Sequence, residues 1–270
     1  MILLRTNELI EDLPMEKYLE DPGIGSSRHA KMLDTPADYK AELEVKFKSS
    51  PALELGTQIH SKCMENDTFN DFYIYESKKF DKRSKKGKEE FQEFVNEAEG
   101  KTVIPLKNKP IIDAAEKAFW KHYEIPHIMK GAKIEVTGIS EVLGLDLRIK
   151  TREDIYTKNG WIYDIKTTSE KPTDANLSKV IHKYNYHFKA AHHIDVMERC
   201  GEEVQGFGWI FITTHLPHTH VIIKTMSPKL RNFSRNLYEE TLIKLSDCTK
   251  ENEWNGYTEI IEEIELPPWA

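Results

Sequence analysis

Cysteine is scarce in this 270-residue chain. Cys63, Cys200 and Cys248 are scattered, with no C-x-x-C pair. They make neither a disulfide framework nor a cysteine zinc site, and fit a reducing, cytoplasmic setting. Long apolar runs are also missing: none approaches the ~18 residues that cross a bilayer. The start, Met1-Ile-Leu-Leu-Arg-Thr-Asn-Glu, lacks the basic-then-apolar order of a secretory signal, so no membrane partner is expected. There is no Walker loop, no G-x-G-x-x-G, no G-x-S-x-G and no H-E-x-x-H. ATPases, dinucleotide enzymes, serine hydrolases and zincins thereby lose their simplest support. Basic residues are in deficit: 38 Lys and Arg against 45 Asp and Glu, a net charge of −7. That speaks against a protein that coats nucleic acid nonspecifically. It does not exclude an enzyme whose acids bind metal and whose bases gather on one surface.

The most informative stretch is Trp161-Ile-Tyr-Asp-Ile-Lys-Thr-Thr168. It sets Asp164 and Lys166 two residues apart in an apolar, β-branched and aromatic run. On a strand, side chains at i and i+2 share a face. The carboxylate and the ammonium therefore emerge together with Ile162, while Tyr163 and Ile165 point the other way. An acid and a base at the end of a hydrophobic strand are costly unless something charged binds there. A divalent metal with a phosphate satisfies both, the acid holding the metal and the lysine a water or the phosphate. An Asp–Lys pair on a solvated edge is the bland alternative.

The remainder reads as one domain, with a helical region over about 1–125 and a sheet core over about 130–250. The first ~50 residues read as short helices and turns. Asp34-Thr-Pro opens a helix, and Ser50-Pro51 opens another with Ala52, Leu55, Ile59 and Cys63 at helical spacing. Residues 76–88 read as a mobile basic loop, with seven Lys or Arg and one Asp within 78–88. Helices follow at Glu89–Ala98 and Pro110–Tyr123. Residues 132–142 and 143–157, then the Asp164 strand beyond the Asn159-Gly160 turn, predict three antiparallel strands. A long helix is expected over 174–200, stopped by Gly201, then strands at Phe207–Thr214 and Thr219–Thr225. Ser227-Pro228 caps a last helix to about Cys248. Residues 251–265 hold six Glu and no basic residue. The order predicts an α/β fold, a central mixed β-sheet flanked by helices.

A metal site beside Asp164 needs further oxygen ligands from rigid elements. Asp154 lies across the hairpin turn, Asp146 shares its pleat face by even spacing, and Glu135 and Glu141 lie in the preceding strand. Gly56-Thr-Gln-Ile-His60 puts a glycine and a histidine at i and i+4 on one helix face. A helix-interior glycine costs about 1 kcal/mol against alanine, which a close backbone or ligand approach would explain. In the long helix, Leu177, Ile181, Tyr184, Phe188 and Ala191 form an apolar face. His182, Tyr186, Lys189 and His193 form a polar stripe suited to phosphate contact. His215-Leu-Pro-His218-Thr-His220 reads as a loop rather than a metal cluster.

In this order the motifs resemble the RecE-type exonucleases (exodeoxyribonuclease VIII), a branch of the PD-(D/E)xK nuclease superfamily. Leu55-Gly-Thr-Gln-Ile-His60 is similar to the family's G-x-x-x-H helix, and Lys86-Gly-Lys-Glu-Glu and Gly100-Lys-Thr-Val-Ile to the segment after it. Arg152-Glu-Asp154 is similar to its R-x-D, and Asp164-Ile-Lys-Thr-Thr168 to its D-x-K-T-T. Tyr186-His-Phe-Lys-Ala-Ala resembles its Tyr-His-x-Gln helix, with Lys189 in place of the glutamine. Trp254 and Leu-Pro-Pro-Trp269 resemble its tail. The resemblance implies a restriction-endonuclease-like core, dependence on Mg²⁺ with Mn²⁺ as a substitute, and digestion of linear double-stranded DNA from its ends. It also implies a ring-shaped homo-oligomer, a single-strand annealing recombinase as partner, and a phage or bacterial origin. Asp154, Asp164, His60 and Glu135 would then hold the metal and Lys166 would act on the attacking water. Asp154 is favoured over Asp146 by the R-x-D match, and Glu135 over Glu141 because it begins the strand. Lys82, Arg83, Lys85 and Lys86 of the basic loop, with Tyr186 and Lys189, are the expected DNA contacts. Two rivals stand beside this exonuclease reading: a DNA-end binding scaffold without turnover, and a structure-specific endonuclease on the same core.

Overall fold

The computed structural model describes residues 7–45, 49–258, 260–261 and 263–266. The Pro-Pro-Trp269 end of the tail motif lies outside them. Among the described residues, eight strands form two sheets: β1 (Glu8–Ile10), β2 (Tyr73–Tyr75), β3 (Thr102–Ile104), β4 (Lys133–Val142), β5 (Leu147–Tyr156), β6 (Trp161–Thr168), β7 (Gly206–Thr213) and β8 (Val221–Thr225). The main sheet runs β1-β4-β5-β6-β7-β8, and β2 pairs with β3 apart from it. Within the main sheet β6 and β7 are parallel and the other neighbours antiparallel. The mixed sheet and the β4-β5-β6 meander are as the sequence predicts. β7 reads Gly-Phe-Gly-Trp-Ile-Phe-Ile-Thr and is buried along its whole length, the near-continuous apolar pattern of a strand covered on both faces.

Among the described residues, seven longer helices accompany the sheets: α1 (Pro36–Glu44), α2 (Pro51–Met64), α3 (Lys85–Glu97), α4 (Lys109–Lys121), α5 (Asp174–Lys183), α6 (Tyr186–Arg199) and α7 (Pro228–Glu251). Thr35, Ser50, Ser84, Thr173 and Ser227 cap α1, α2, α3, α5 and α7 by accepting a backbone N–H in the first turn. On one sheet face Ile59, Ile112 and Phe119 of α2 and α4 pack with Ile155, Ile165, Ile210 and Ile212. On the other, Val136, Ile162, Trp209 and Phe211 pack with Leu177, Ile194 and Met197 of α5 and α6, while α7 packs Leu242 and Leu245 with Ile149 and Phe188. This is a helix–sheet–helix sandwich around two core layers.

Four expectations need correction. The first 50 residues contain a strand, β1, which extends the sheet beside β4; three residues are too short for alternation to reveal. The helix over 174–200 is broken: Asn185 adopts φ 53°, ψ 33°, and separates α5 from α6. Asparagine tolerates this left-handed conformation better than most residues. The 76–88 segment is not all loop. Ser84 starts α3 at Lys85, and Glu76 is buried, accepting from the Leu106 N–H at 3.0 Å. Finally, the strand expected over 143–157 begins only at Leu147, because Gly144 and Asp146 have positive φ in a tight turn.

Candidate metal centre

β5 and β6 pair only at Ile155↔Tyr163 and Tyr156↔Ile162, next to their hairpin turn, and then diverge. Asp154 stands at the point of divergence. Its Oδ2 accepts the Ile165 N–H at 2.7 Å, so a carboxylate replaces the lost ladder bond and is fixed by it. The β4–β5 register pairs Ile134 with Ile155 and Val136 with Glu153, which sets Glu135 opposite Asp154. Glu135 has φ 54°. A left-handed conformation costs a non-glycine residue about 1–2 kcal/mol, and here it turns the Glu135 carboxylate into the site. Arg152 holds that carboxylate by a short hydrogen bond from Nε and donates from Nη1 to the Leu13 carbonyl at 2.7 Å.

His60 approaches from α2. Its Nε2 lies 3.4 Å from Glu135 Oε1 and 3.4 Å from Asp154 Oδ1. This nitrogen is buried and makes no aligned hydrogen bond. Gly56, one turn earlier, explains how close the helix comes: a Cβ there would sit 3.1 Å from Thr167 Oγ1 of β6. The glycine thus reflects a close backbone approach, one of the two causes considered from the sequence.

His60, Glu135 and Asp154 offer ligand atoms all within 4.8 Å of one another. Asp164 of β6 lies beside this trio. Its Oδ1 accepts from Lys166 Nζ at 2.6 Å, and Lys166 also lies 5.3 Å over the Tyr186 ring. Burial opposes charge at every one of these groups, and the neighbours decide the outcome. Burial lowers the basicity of His60, but Asp154 and Glu135 outweigh it and raise its pKa to about 9. Burial also disfavours the Asp154 carboxylate, yet His60 above all, then Lys166 and the Ile165 N–H, hold it below the usual carboxylate range. Glu135 and Asp164 are both raised, burial being the larger effect in each. Lys166 is raised because Asp164 and Asp154 overcome its burial.

An orphaned imidazole nitrogen aimed between two carboxylates suits a divalent cation, which would satisfy all three groups. One nitrogen and several oxygens are a donor set open to Mg²⁺ and Mn²⁺.

Of the other candidates, Glu141 pairs with Arg148 Nη1 at 2.9 Å near the far end of β4, and Asp146 sits in the β4–β5 turn. Asp146 is eight residues from Asp154, roughly 26 Å along a strand, so even spacing did not place the two acids together. Tyr186 and Lys189 do reach the site, Lys189 Nζ lying 5.6 Å over the Tyr186 ring. His193 instead faces inward, with Nδ1 2.8 Å from Glu153 Oε2 and 2.7 Å from Thr151 Oγ1. His182 stacks on His187. Lys82 pairs with Glu76 at 2.8 Å and covers the Phe91 ring at 3.6 Å, a packed rather than a free cation. Lys85 and Lys86 are exposed, each 3.9 Å from a glutamate one turn on in α3, and Arg83 is exposed before the helix. Helical spacing places Tyr184 on an apolar face, but it is 48% exposed at the α5–α6 break. The Tyr-Asn-Tyr sequence was the signal, since asparagine between two aromatics permits a break.

No curated protein matches the sequence. Among solved structures, the chain is similar to a protein of Eubacterium rectale that carries the name exonuclease as a provisional designation. The TM-score is 0.59 at 14% identity, over 95% of this chain and 97% of that one. A phage-related exonuclease from Haemophilus somnus 129PT covers 87% of this chain and 98% of its own, at 13% identity and a TM-score of 0.37. The first likeness supports the fold. Residues 25–267 match the PDDEXK-like domain of unknown function (DUF3799), in keeping with the split β5–β6 pair and its cluster of acids, and the chain belongs to that PD-(D/E)xK-fold family.

Proposed function

We propose that this chain is a metal-dependent exodeoxyribonuclease that digests linear double-stranded DNA from its ends, for recombination by single-strand annealing. The observation that carries the reading is the His60–Glu135–Asp154 cluster beside the Asp164–Lys166 pair, where β5 and β6 part. His60, Glu135, Asp154 and Asp164 would hold Mg²⁺ or Mn²⁺. A bound divalent ion supplies Lewis-acid stabilisation of charge on a phosphate and its leaving oxygen.

The chain's own residues do the rest. The Ile165 N–H fixes Asp154, and Arg152 fixes Glu135, so both carboxylates are oriented before a substrate arrives. Lys166 carries a full positive charge on the same strand face as Asp164. It can hold a water in line with the reacting phosphorus, or contact a non-bridging phosphate oxygen. Its lack of freedom, tied to Asp164 and lying over Tyr186, keeps that geometry.

The test is a comparison of linear duplex DNA with a covalently closed circle in Mg²⁺. An exonuclease shortens the first and cannot start on the second. Cutting of the circle would favour the structure-specific endonuclease. Binding to ends without loss of length would favour the scaffold.

A further inference from the structure

The α5–α6 break exposes a short aromatic and cationic track that ends at the candidate metal centre. Tyr184 closes α5, and Tyr186 opens α6, with left-handed Asn185 between them. Their rings stack at 5.6 Å between centroids and 28° between planes. Lys183 Nζ lies 5.2 Å over the Tyr184 ring. On the inner side, Lys166 and Lys189 both lie over Tyr186, at 5.3 and 5.6 Å. The order from solvent to site is therefore Lys183, Tyr184, Tyr186, then Lys166 and Lys189.

Two features set this track apart from an ordinary surface. Among the described residues, neither Lys183 nor Lys189 has a carboxylate within ion-pair distance, although the chain as a whole is acidic. The outer tyrosine is 48% exposed, whereas a tyrosine used only for packing buries its ring. Cations alternating with stacked aromatics match the chemistry of a single nucleic-acid strand, phosphates on the cations and bases on the rings. A fully paired duplex hides every base face except the outer one of its terminal pair, so it can offer no run of bases to such rings.

We propose that Tyr184 and Tyr186, with Lys183 and Lys189, form a stacking platform that takes the bases of an unpaired DNA strand leading to the candidate metal centre. This rests on the nuclease reading for its direction, since the strand runs toward Asp164 and Lys166. A base on Tyr184 displaces the head of Lys183, whose charge then meets the adjoining phosphate. It follows that a duplex end must fray before its strand is engaged.

The test uses a single-stranded oligonucleotide with 2-aminopurine near one end, added to the whole protein without divalent metal, so that binding is read without cleavage. Stacking on a tyrosine quenches the fluorescence. The wild-type chain and Tyr184→Phe should quench it, and Tyr184→Ala should lose the quench and bind about tenfold more weakly. The same probe in a blunt duplex should quench less than in an unpaired overhang. Tyr184 is exposed, so its variants should fold, and circular dichroism checks this. Equal quenching and affinity in wild type and Tyr184→Ala would overturn the platform, even if the protein digests DNA. Quenching that depends on Tyr184 in a protein that never cleaves would uphold the platform and remove the nuclease reading.

Discussion

Glu135 and Asp154 sit opposite each other on β4 and β5, and side-chain alternation breaks at this pair in both strands. Ile134 and Ile155 pack in the core layer of α2 and α4, while Val136 packs in the layer of α5 and α6. Regular pleating would send Ile134 and Val136 to one face. Glu153, next to Asp154, points to His193 of α6, as Val136 does toward that layer. The positive φ of Glu135 supplies the twist. The two acids are therefore aimed by an irregularity, and the strain at Glu135 belongs with the function of the pair.

Gly56→Ala tests how the close approach of α2 sets His60. Alanine gains about 1 kcal/mol of helix propensity. Its Cβ would however press on Thr167 Oγ1 at 3.1 Å and push the helix outward. The expected result is a melting temperature within a few degrees of wild type and nuclease activity reduced tenfold or more, because small misplacements are costly to catalysis. Unchanged activity would show that His60 tolerates the shift.

The basic segment should divide into two roles. Neutralising Arg83, Lys85 and Lys86, which are exposed, should weaken DNA binding and flatten its dependence on salt through fewer displaced counterions. Lys82→Ala should instead lower stability by about 1 kcal/mol, because it removes a pair with Glu76 and a contact with the Phe91 ring. Equilibrium binding at several salt concentrations, with thermal melts of each variant, separates the two. A salt slope unchanged in the triple variant would leave the segment as a solvated surface.

Legibility from sequence followed regularity. The meander, β7, α2, α4 and α7 were readable because apolar period, caps and an Asn-Gly turn agreed. Asp164 and Lys166 were readable because β6 alternates cleanly. Asp154 against Asp146 was not, since even spacing assumes a pleat that starts before Leu147. Position at the start of its strand is all that favours Glu135 in the sequence, whereas its place in the site comes from a backbone twist that no composition announces. The break at Asn185 was hidden by two helical segments whose periods nearly continue each other.

Acid should loosen the fold through a buried histidine pair. His192 Nε2–H donates to the Lys150 carbonyl at 3.0 Å, which leaves its Nδ1 to accept from His29 Nδ1–H at 3.3 Å. His29 Nε2 faces the Thr241 hydroxyl at 3.1 Å. His192 must be neutral to accept through Nδ1, and burial disfavours a charge on either ring. Burial pushes His29 down to about 3, and burial with His29 lowers His192 as well. In the unfolded chain they titrate near 6.5. Their folded values lie lower, so the unfolded state binds more protons as pH falls. The contribution is intact above about 6.5 and is lost progressively toward about 3. Melting at pH 7.5 and 5.5 should show a fall in midpoint for wild type and a smaller fall for His29→Phe. Equal falls would place the acid sensitivity elsewhere.

A closed homo-oligomer is expected for processive digestion. A net charge of −7 gives a lone subunit little general attraction to DNA, whereas a ring retains its substrate by topology. Light scattering coupled to size-exclusion chromatography should give a mass that is a whole multiple of 31.4 kDa, greater than one. A monomer that still digests long DNA without dissociating would require another clamp.

The most direct measurement is a time course of end-labelled linear duplex DNA in Mg²⁺, run with wild type, Asp164→Ala and Lys166→Ala. The wild type should shorten the duplex progressively from its ends. Each variant, folded by circular dichroism, should be slower by about a thousandfold, the rate equivalent of ~4 kcal/mol of transition-state stabilisation. No shortening by wild type in Mg²⁺ or Mn²⁺, or near-normal rates in either variant, would contradict a nuclease centre at the parting of β5 and β6.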